Sequence, residues 1–405
     1  MILIALLLSF LYLFDTGNCY SIAMDISQFS KSSPGKLVPV PPNELRPEVT
    51  HAFVPNPLPP VWVWPEKMWN LLLEAHKAVS SLNGTGKSLP NTDILIQPLQ
   101  NREAQLSSKL EGTITEPKLQ ALFDSEPRYS ASAADNSYLE VYNYRRALRV
   151  GMDDQSLPLC LRLITDLHKI LMSGVRGADK TPGEFRKLQN QIGRPAHFVP
   201  PPPLAMAEAL HSFEAFLHEP NSGYDPLVKA FLVHYQFETI HPFGDGNGRV
   251  GRLLLSLCIA EWCQLSRLWL YMSAYFEANR DEYINRLFAV STMGDWEGWI
   301  EFCLKGVVIQ ATDAEKRCAK LLELHKDFHG RIKKGSIHAA KIIDLLFKTP
   351  AASVVFFKEQ LAVGYPTAKR HLESLAQSGV VRKLEGVGQL SYYSPEIYQA
   401  THGAT

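Results

Sequence analysis

Between Glu66 and His325 the apolar residues recur at three-to-four spacing, and the pattern breaks only at proline and glycine clusters. Such a stripe buries its apolar side only when the chain is helical. The spacing predicts helices over 66–84, within 91–112, and over 137–150, 159–171, 204–218, 225–240, 248–263, 280–293 and 296–325. The one strong strand-like run before residue 340 is short, at 197–199. A mainly α body follows. The chain has 405 residues, enough for roughly two to three domains.

Both flanks depart from this pattern. Met1 to Phe14, MILIALLLSFLYLF, is almost wholly apolar. It is shorter than the roughly 20 residues that span a bilayer, and no Lys or Arg precedes it as a signal peptide requires. Two readings stand: residues 1–23 are an extension upstream of a true start at Met24, or they are a signal or anchor. Residues 25–65 are proline-rich and carry Phe53, Trp62 and Trp64, which fits an extended arm lying on a folded body rather than a solvated tail.

At the other end, KDFHGRIKKG (326–335) is polar and basic and reads as a hinge. Beyond it, helices over 337–347, 357–362 and 366–377 precede two strand-like runs, VVRKLEG and QLSYYS. This is the winged-helix pattern. Lys369, Arg370 and His371 on its third helix, with Arg382 and Lys383 opening the wing, suit contact with a DNA backbone. They suit an ordinary solvent-facing surface equally well.

Charge adds no global direction. Lys plus Arg and Asp plus Glu are 41 each, so nothing pulls the whole chain toward nucleic acid or an anionic membrane. The six cysteines form no CxxC pair and no Cys/His zinc-finger spacing. The sequence therefore predicts neither a disulfide scaffold nor a structural zinc site, and a reducing compartment is the natural setting.

The densest chemistry is His241-Pro-Phe-Gly-Asp-Gly-Asn-Gly-Arg-Val-Gly-Arg252, between two helical segments. A loop that opens a helix leaves backbone N–H groups unpaired, with the positive end of the dipole behind them. Gly246 and Gly248 let backbone approach an anion closely. Arg249 and Arg252 add fork-shaped donors for phosphate, Asp245 is a hard oxygen ligand for magnesium, and His241 is placed to act as a base. Anion cradle, metal ligand, arginines and base together suit phosphoryl or nucleotidyl transfer. Gly246-x-Gly248-x-x-Gly251 also spells a dinucleotide fingerprint, but no strand precedes it and no βαβ unit surrounds it, so it is coincidence.

HPFGDGNGRVGR resembles the signature of Fic-domain proteins, HxFx(D/E)GNGRxxR, at every specified position. The likeness extends to TPGEFR (181–186), QNQIG (189–193) and FVPPP (198–202), similar to the family's β-hairpin flap, where a target's acceptor segment docks as an added strand. The proline-rich start is similar to bacterial Fic proteins with a C-terminal winged helix, which are typically cytoplasmic. The resemblance implies transfer of AMP from ATP to a Ser, Thr or Tyr hydroxyl of a target protein. On that reading His241 is the base and Phe243 seats the loop. Asp245 holds magnesium between the α- and β-phosphates. Gly246, Asn247 and Gly248 form the anion hole, Arg249 adds charge, and Arg252 meets the γ-phosphate. Tyr283 lies where relatives place an aromatic against adenine, and core packing explains it as well.

Ser107-Ser-Lys-Leu-Glu111-Gly112 matches the family's inhibitory (S/T)xxxE(G/N) signature. Ser107 and Glu111 share a helix face, and Gly112 lets the helix end. Glu111 is expected to pair with Arg252 in the place of the γ-phosphate, so the chain resembles the class with an N-terminal inhibitory helix. Some relatives use this glutamate to orient water and remove AMP.

The expectations are therefore an all-helical Fic core with a short β-hairpin flap and a C-terminal winged helix. The divisions are an apolar extension (1–23), an arm with inhibitory helix (24–120), the catalytic core (121–325) and the winged helix (336–400). ATP and magnesium are the expected ligands, and a homodimer follows from the resemblance alone. No stable membrane association is expected. The rival is a nucleotide-sensing DNA-binding regulator built on the same core; transfer of UMP or a phosphate is a third reading.

Overall fold

The computed structural model describes residues 24–41, 49–87, 93–126, 133–153, 157–175, 180–193, 197–333 and 335–403. The apolar run at 1–23, and with it the choice between a late start and a signal, lies outside the described residues. No helix in the described part is long and apolar enough to cross a membrane.

The arm is more regular than its prolines suggested. Strands β1 (Gly35–Pro39) and β2 (His51–Pro55) pair antiparallel, with Leu37 opposite Phe53. Phe53 is fully buried against Phe198, and its N–H donates to the Val199 carbonyl at 2.9 Å. Further along, the Trp62 ring stacks on Tyr224, with centroids 6.3 Å apart. An arm that supplies two paired strands and packs Phe53 and Trp62 on the body is built into it, not draped over it.

The body begins with α1 (Trp69–Lys87) and α2 (Asp93–Leu110), the latter ending at Gly112 with φ +86. A left-handed residue there stops the helix. Then come α3 (Pro117–Ser125), α4 (Ala133–Asp153), α5 (Leu161–Leu171) and α6 (Pro203–Leu217). Helix α7 (Pro226–Ile240) is buried along nearly its whole length, polar Lys229, His234 and Gln236 included, which makes it the central helix. It packs on α8 (Asn247–Trp262), followed by α9 (Ser273–Ala278), α10 (Arg280–Met293) and the long α11 (Trp296–Gly330).

Two expectations need correction. The segment 326–335 is not a hinge over its first half: α11 continues to Gly330 because Phe328 is fully buried against Phe347. Among the described residues the flap is a loop with a single antiparallel bridge, Ile192 to Phe198, rather than a β-hairpin. Pro200, Pro201 and Pro202 have no N–H to give a ladder. The carbonyls of Pro200 and Pro201 are taken instead by the side chains of Gln189 and Arg186.

The C-terminal unit runs α12 (Ile337–Lys348), β3 (Ala351–Ser353), α13 (Val354–Leu361), α14 (Tyr365–Gln377), β4 (Arg382–Leu384), β5 (Ser391–Tyr393) and α15 (Pro395–His402). Its sheet has the order β3-β5-β4, all antiparallel. The unit is fastened to the body. Arg317 of α11 donates to the carbonyls of Ala400 and Thr401 at 3.0 and 2.8 Å, and Tyr398 Oη donates to Pro117 O at 3.0 Å. On α14 Lys369 has Glu373 at 3.7 Å, and beside the wing Lys383 has Glu385 at 3.6 Å.

Candidate active site

The site forms where α7 ends and α8 begins. His241 closes α7 with φ +49, a left-handed conformation that a non-glycine residue holds only when its surroundings impose it. Arg186 imposes it. Its Nε donates to the His241 carbonyl at 2.9 Å, while its other nitrogens reach the carbonyls of Leu188, Pro201 and Ile240. The His241 ring sits with Nδ1 3.2 Å from the Glu238 carbonyl. A carbonyl only accepts, so Nδ1 carries the proton and Nε2 is left as a basic lone pair. Burial lowers the imidazole pKa to about 4, so the ring is neutral at physiological pH.

The loop between the helices is braced from inside. Asn247 accepts from the Phe243 N–H at 2.8 Å and donates to the Phe243 carbonyl at 2.9 Å. Its side chain is thus a staple, and only its N–H remains for an anion. Phe243 is fully buried and stacks on His168, with centroids 3.8 Å apart. His168 accepts at Nδ1 from the Gly183 N–H (2.9 Å) and donates from Nε2 to the Asp245 carbonyl (3.1 Å). Gly246 has φ +78, and a β-carbon there would lie 2.8 Å from Met172 Sδ, so both conformation and space require glycine. Past it, the first N–H groups of α8 are free of helical partners, as at every helix start.

Charges surround this N-terminus. Asp245 is about half exposed; its Oδ1 accepts from the Gly246 N–H at 2.6 Å, which leaves the second oxygen toward solvent. Arg249 is buried, with Nη1 3.2 Å from Glu140 Oε2, an oxygen that Thr113 also donates to at 2.6 Å. Its Nη2 lies 4.0 Å from Asp245 Oδ1, so its charge reaches the site through space rather than as an exposed fork. Arg252 is buried and engaged through two of its three nitrogens. Nε donates to Ser107 Oγ at 2.9 Å, and Nη2 donates to Ser107 O at 2.9 Å and to Glu111 Oε1 at 2.8 Å. Burial alone would push the Glu111 carboxyl up, but Arg252 at hydrogen-bond distance outweighs it and holds the carboxyl below its usual range. A methyl at Gly248 would overlap Glu111 Oε1, so this carboxylate lies directly on the first turn of α8.

A cavity of about 220 Å³ adjoins, lined by Glu111, Glu238, His241, Arg252, Tyr283 and Phe288 among others. Tyr283 faces it yet belongs also to the core: its hydroxyl is 2.9 Å from His234 Nε2 and its ring stacks on Phe276. Sequence reasoning missed Glu238. Its Oε1 is buried without a hydrogen-bond partner, and burial raises its pKa to about 7. The position three before His241 was the only available signal. It also missed the bracing role of His168, and it noted Arg186 only as part of the flap motif.

A strained histidine beside a helix start, with arginines and carboxylates around unpaired N–H groups, stands on a mainly helical scaffold, an arrangement chemically suited to a phosphate group. Residues 158–259 match the Fic/DOC family and residues 69–153 match the Fic/DOC family N-terminal region. The likeness to the Fic/DOC family is carried by those two stretches. Among curated proteins the chain is 40 % identical over 103 residues to "Protein adenylyltransferase Fic" of Drosophila virilis and 39 % identical over 103 residues to that of Drosophila grimshawi. These matches cover 25 % of this chain and 20 % of each relative, so the likeness spans about a fifth of their length. A Fic family protein from Desulfovibrio desulfuricans G20 has the same fold, with a TM-score of 0.54, 20 % identity and coverage of 83 % of this chain and 98 % of that one.

Proposed function

We propose that the protein is a protein adenylyltransferase held in an inhibited state by α2. The observation that carries this is the Glu111–Arg252 pair lying on the α8 N-terminus, 2.8 Å apart, beside a neutral His241. ATP would bind with its adenosine in the cavity by Tyr283 and its phosphates over the N–H groups of Asn247 and Gly248, the Gly246 N–H being held by Asp245. Asp245, one free carboxylate oxygen beside those phosphates, fits the ligand demand of magnesium, which takes one carboxylate, phosphate oxygens and water. When bound, the metal would neutralise phosphate charge.

In the reaction, His241 Nε2 takes the proton of a target hydroxyl as that oxygen bonds to the α-phosphorus. The bond from the α-phosphorus to the β-bridging oxygen breaks, and pyrophosphate leaves. In-line attack requires the γ-phosphate to sit against Arg252. Glu111 holds that place, so bound ATP is displaced and transfer is slow. The same carboxylate is placed to orient a water for the reverse reaction, removal of AMP. The target segment would meet the site along the 189–199 loop.

The C-terminal unit, whose first three helices and three-stranded antiparallel sheet follow winged-helix order, is read as a docking module. The carboxylates next to Lys369 and Lys383 weaken the case for DNA. The test of the chemistry uses the Glu111→Gly variant with ATP labelled on the α- or on the γ-phosphate. Protein-bound label from the α-position alone is the expected result. Label from the γ-position would mean phosphoryl transfer instead.

A further inference from the structure

A second cluster lies far from this site in the chain, at the junction of α11 and α12. His325 and His329 stand four apart near the end of α11, so their rings project from one face. Asp344 of α12 faces them. His325 Nε2 is 2.7 Å and His329 Nε2 is 3.2 Å from the same Asp344 Oδ1, and the two Nε2 atoms are 3.2 Å apart. Hydrogen bonds alone serve this triangle poorly. If both rings donate to Oδ1, their N–H groups crowd each other; if one ring accepts from the other, it has no proton for the carboxylate.

We infer that His325, His329 and Asp344 form a binding site for a zinc-class divalent cation. Two imidazole nitrogens and one carboxylate oxygen are a donor set suited to zinc. Donors on a tetrahedral ion at bond lengths of about 2.0–2.2 Å stand about 3.4 Å apart, so a small outward movement of these three atoms admits the ion. The His325 ring is held by an edge contact with the buried Phe347, with centroids 5.1 Å apart. The side chains are 23 %, 32 % and 46 % exposed for His325, His329 and Asp344, so an ion has access and a fourth position stays open to water. The sequence reading looked for zinc-finger spacing and passed over this set, because its third ligand comes from another helix.

Occupancy would tie α11, the last helix of the body, to α12, the first helix of the C-terminal unit. No magnesium or nucleotide is involved, so the site stands independently of the transfer reaction.

The test is calorimetric titration of zinc into the full chain after chelator treatment and dialysis, with thermal melts alongside. Wild type is expected to bind one tight equivalent and to melt higher as zinc rises. His329→Gln and Asp344→Asn keep size and polarity and are each expected to lose at least about tenfold in affinity and most of the melting shift, whereas His338→Gln keeps both. Cobalt in place of zinc should give the visible bands of a four-coordinate site in wild type only. Should a variant melt much lower than wild type without metal, the cobalt spectrum of the other decides. No tight equivalent in wild type, or equal binding in wild type and both variants, overturns the assignment.

Discussion

Replacing Arg186 with Met probes how the loop that carries His241 is held. The side chain is buried and three of its bonds to carbonyls are 3.1 Å or shorter. Hydrogen bonds from a charged donor contribute about 1.5–3 kcal/mol each, so the three give roughly 5–9 kcal/mol. Burial opposes them. It pulls the guanidinium pKa from 12.5 down to about 10, which costs about 3 kcal/mol at 1.36 kcal/mol per unit. The net is on the order of 3 kcal/mol, a fall in melting temperature of about 5 °C. Arg186 touches no reacting atom, yet it holds the His241 carbonyl and so the φ of +49. Arg186→Met in a Glu111→Gly background should therefore lower kcat for AMP transfer more than tenfold while KM for ATP stays within about twofold. Arg186→Lys should recover little, since an ammonium lacks the planar fork. Scanning fluorimetry and initial-rate labelling are the assays. Unchanged melting together with unchanged kcat would refute the reasoning.

Other consequences follow from the same geometry. His241 is held neutral down to about pH 4, so labelling by Glu111→Gly should stay nearly flat from pH 7.5 to pH 5.5, measured on protein stable over that range; a midpoint near 6.5 would contradict the ring's burial. Glu238 has its folded pKa raised from 4.5 to about 7, so the stability it contributes is present below 4.5 and is lost as pH rises through 7. Glu238→Gln should accordingly melt higher than wild type at pH 8 and equal to it near pH 4.5. Gly246→Ala must accommodate φ +78 and a contact of 2.8 Å with Met172 Sδ, and is expected to cost about 2 kcal/mol and abolish labelling. Glu140→Gln leaves Arg249 buried beside a neutral partner and should lower stability by about 3 kcal/mol in denaturant melts.

Periodicity made the helices legible, because an apolar stripe has one way to be buried. The boundaries of α10, and of α7 within a residue, follow directly from Asp225, Pro226 and Gly294 as start and stop signals. Strands β1, β2 and β3 were missed for a physical reason. Each is only three to five residues long, and what holds it is a partner elsewhere in the chain: β1 and β2 hold each other, and Ser391–Tyr393 holds β3. Helices α3, α9 and α15 were missed because they are short, with only six to nine residues of pattern each. At the site, the types of residue from 241 to 252 suggested a chemistry, but not which of them face outward. Asn247 and Arg249 turn inward to Phe243 and Glu140, a choice set by neighbours no local motif contains. Glu238 and His168 act through burial, which a linear pattern does not carry. The pairing of Glu111 with Arg252 joins residues 141 apart in sequence, and only the two motifs read together pointed to it.

The central claim is that Glu111 restrains a competent site whose base is His241. Wild type, Glu111→Gly, and Glu111→Gly with His241→Ala should be compared as residues 24–405, with magnesium and ATP labelled on the α-phosphate. The account predicts little protein-bound label in wild type, strong label in the single variant and none in the double variant. Equal label in wild type and Glu111→Gly, or label that survives the loss of His241, would contradict it.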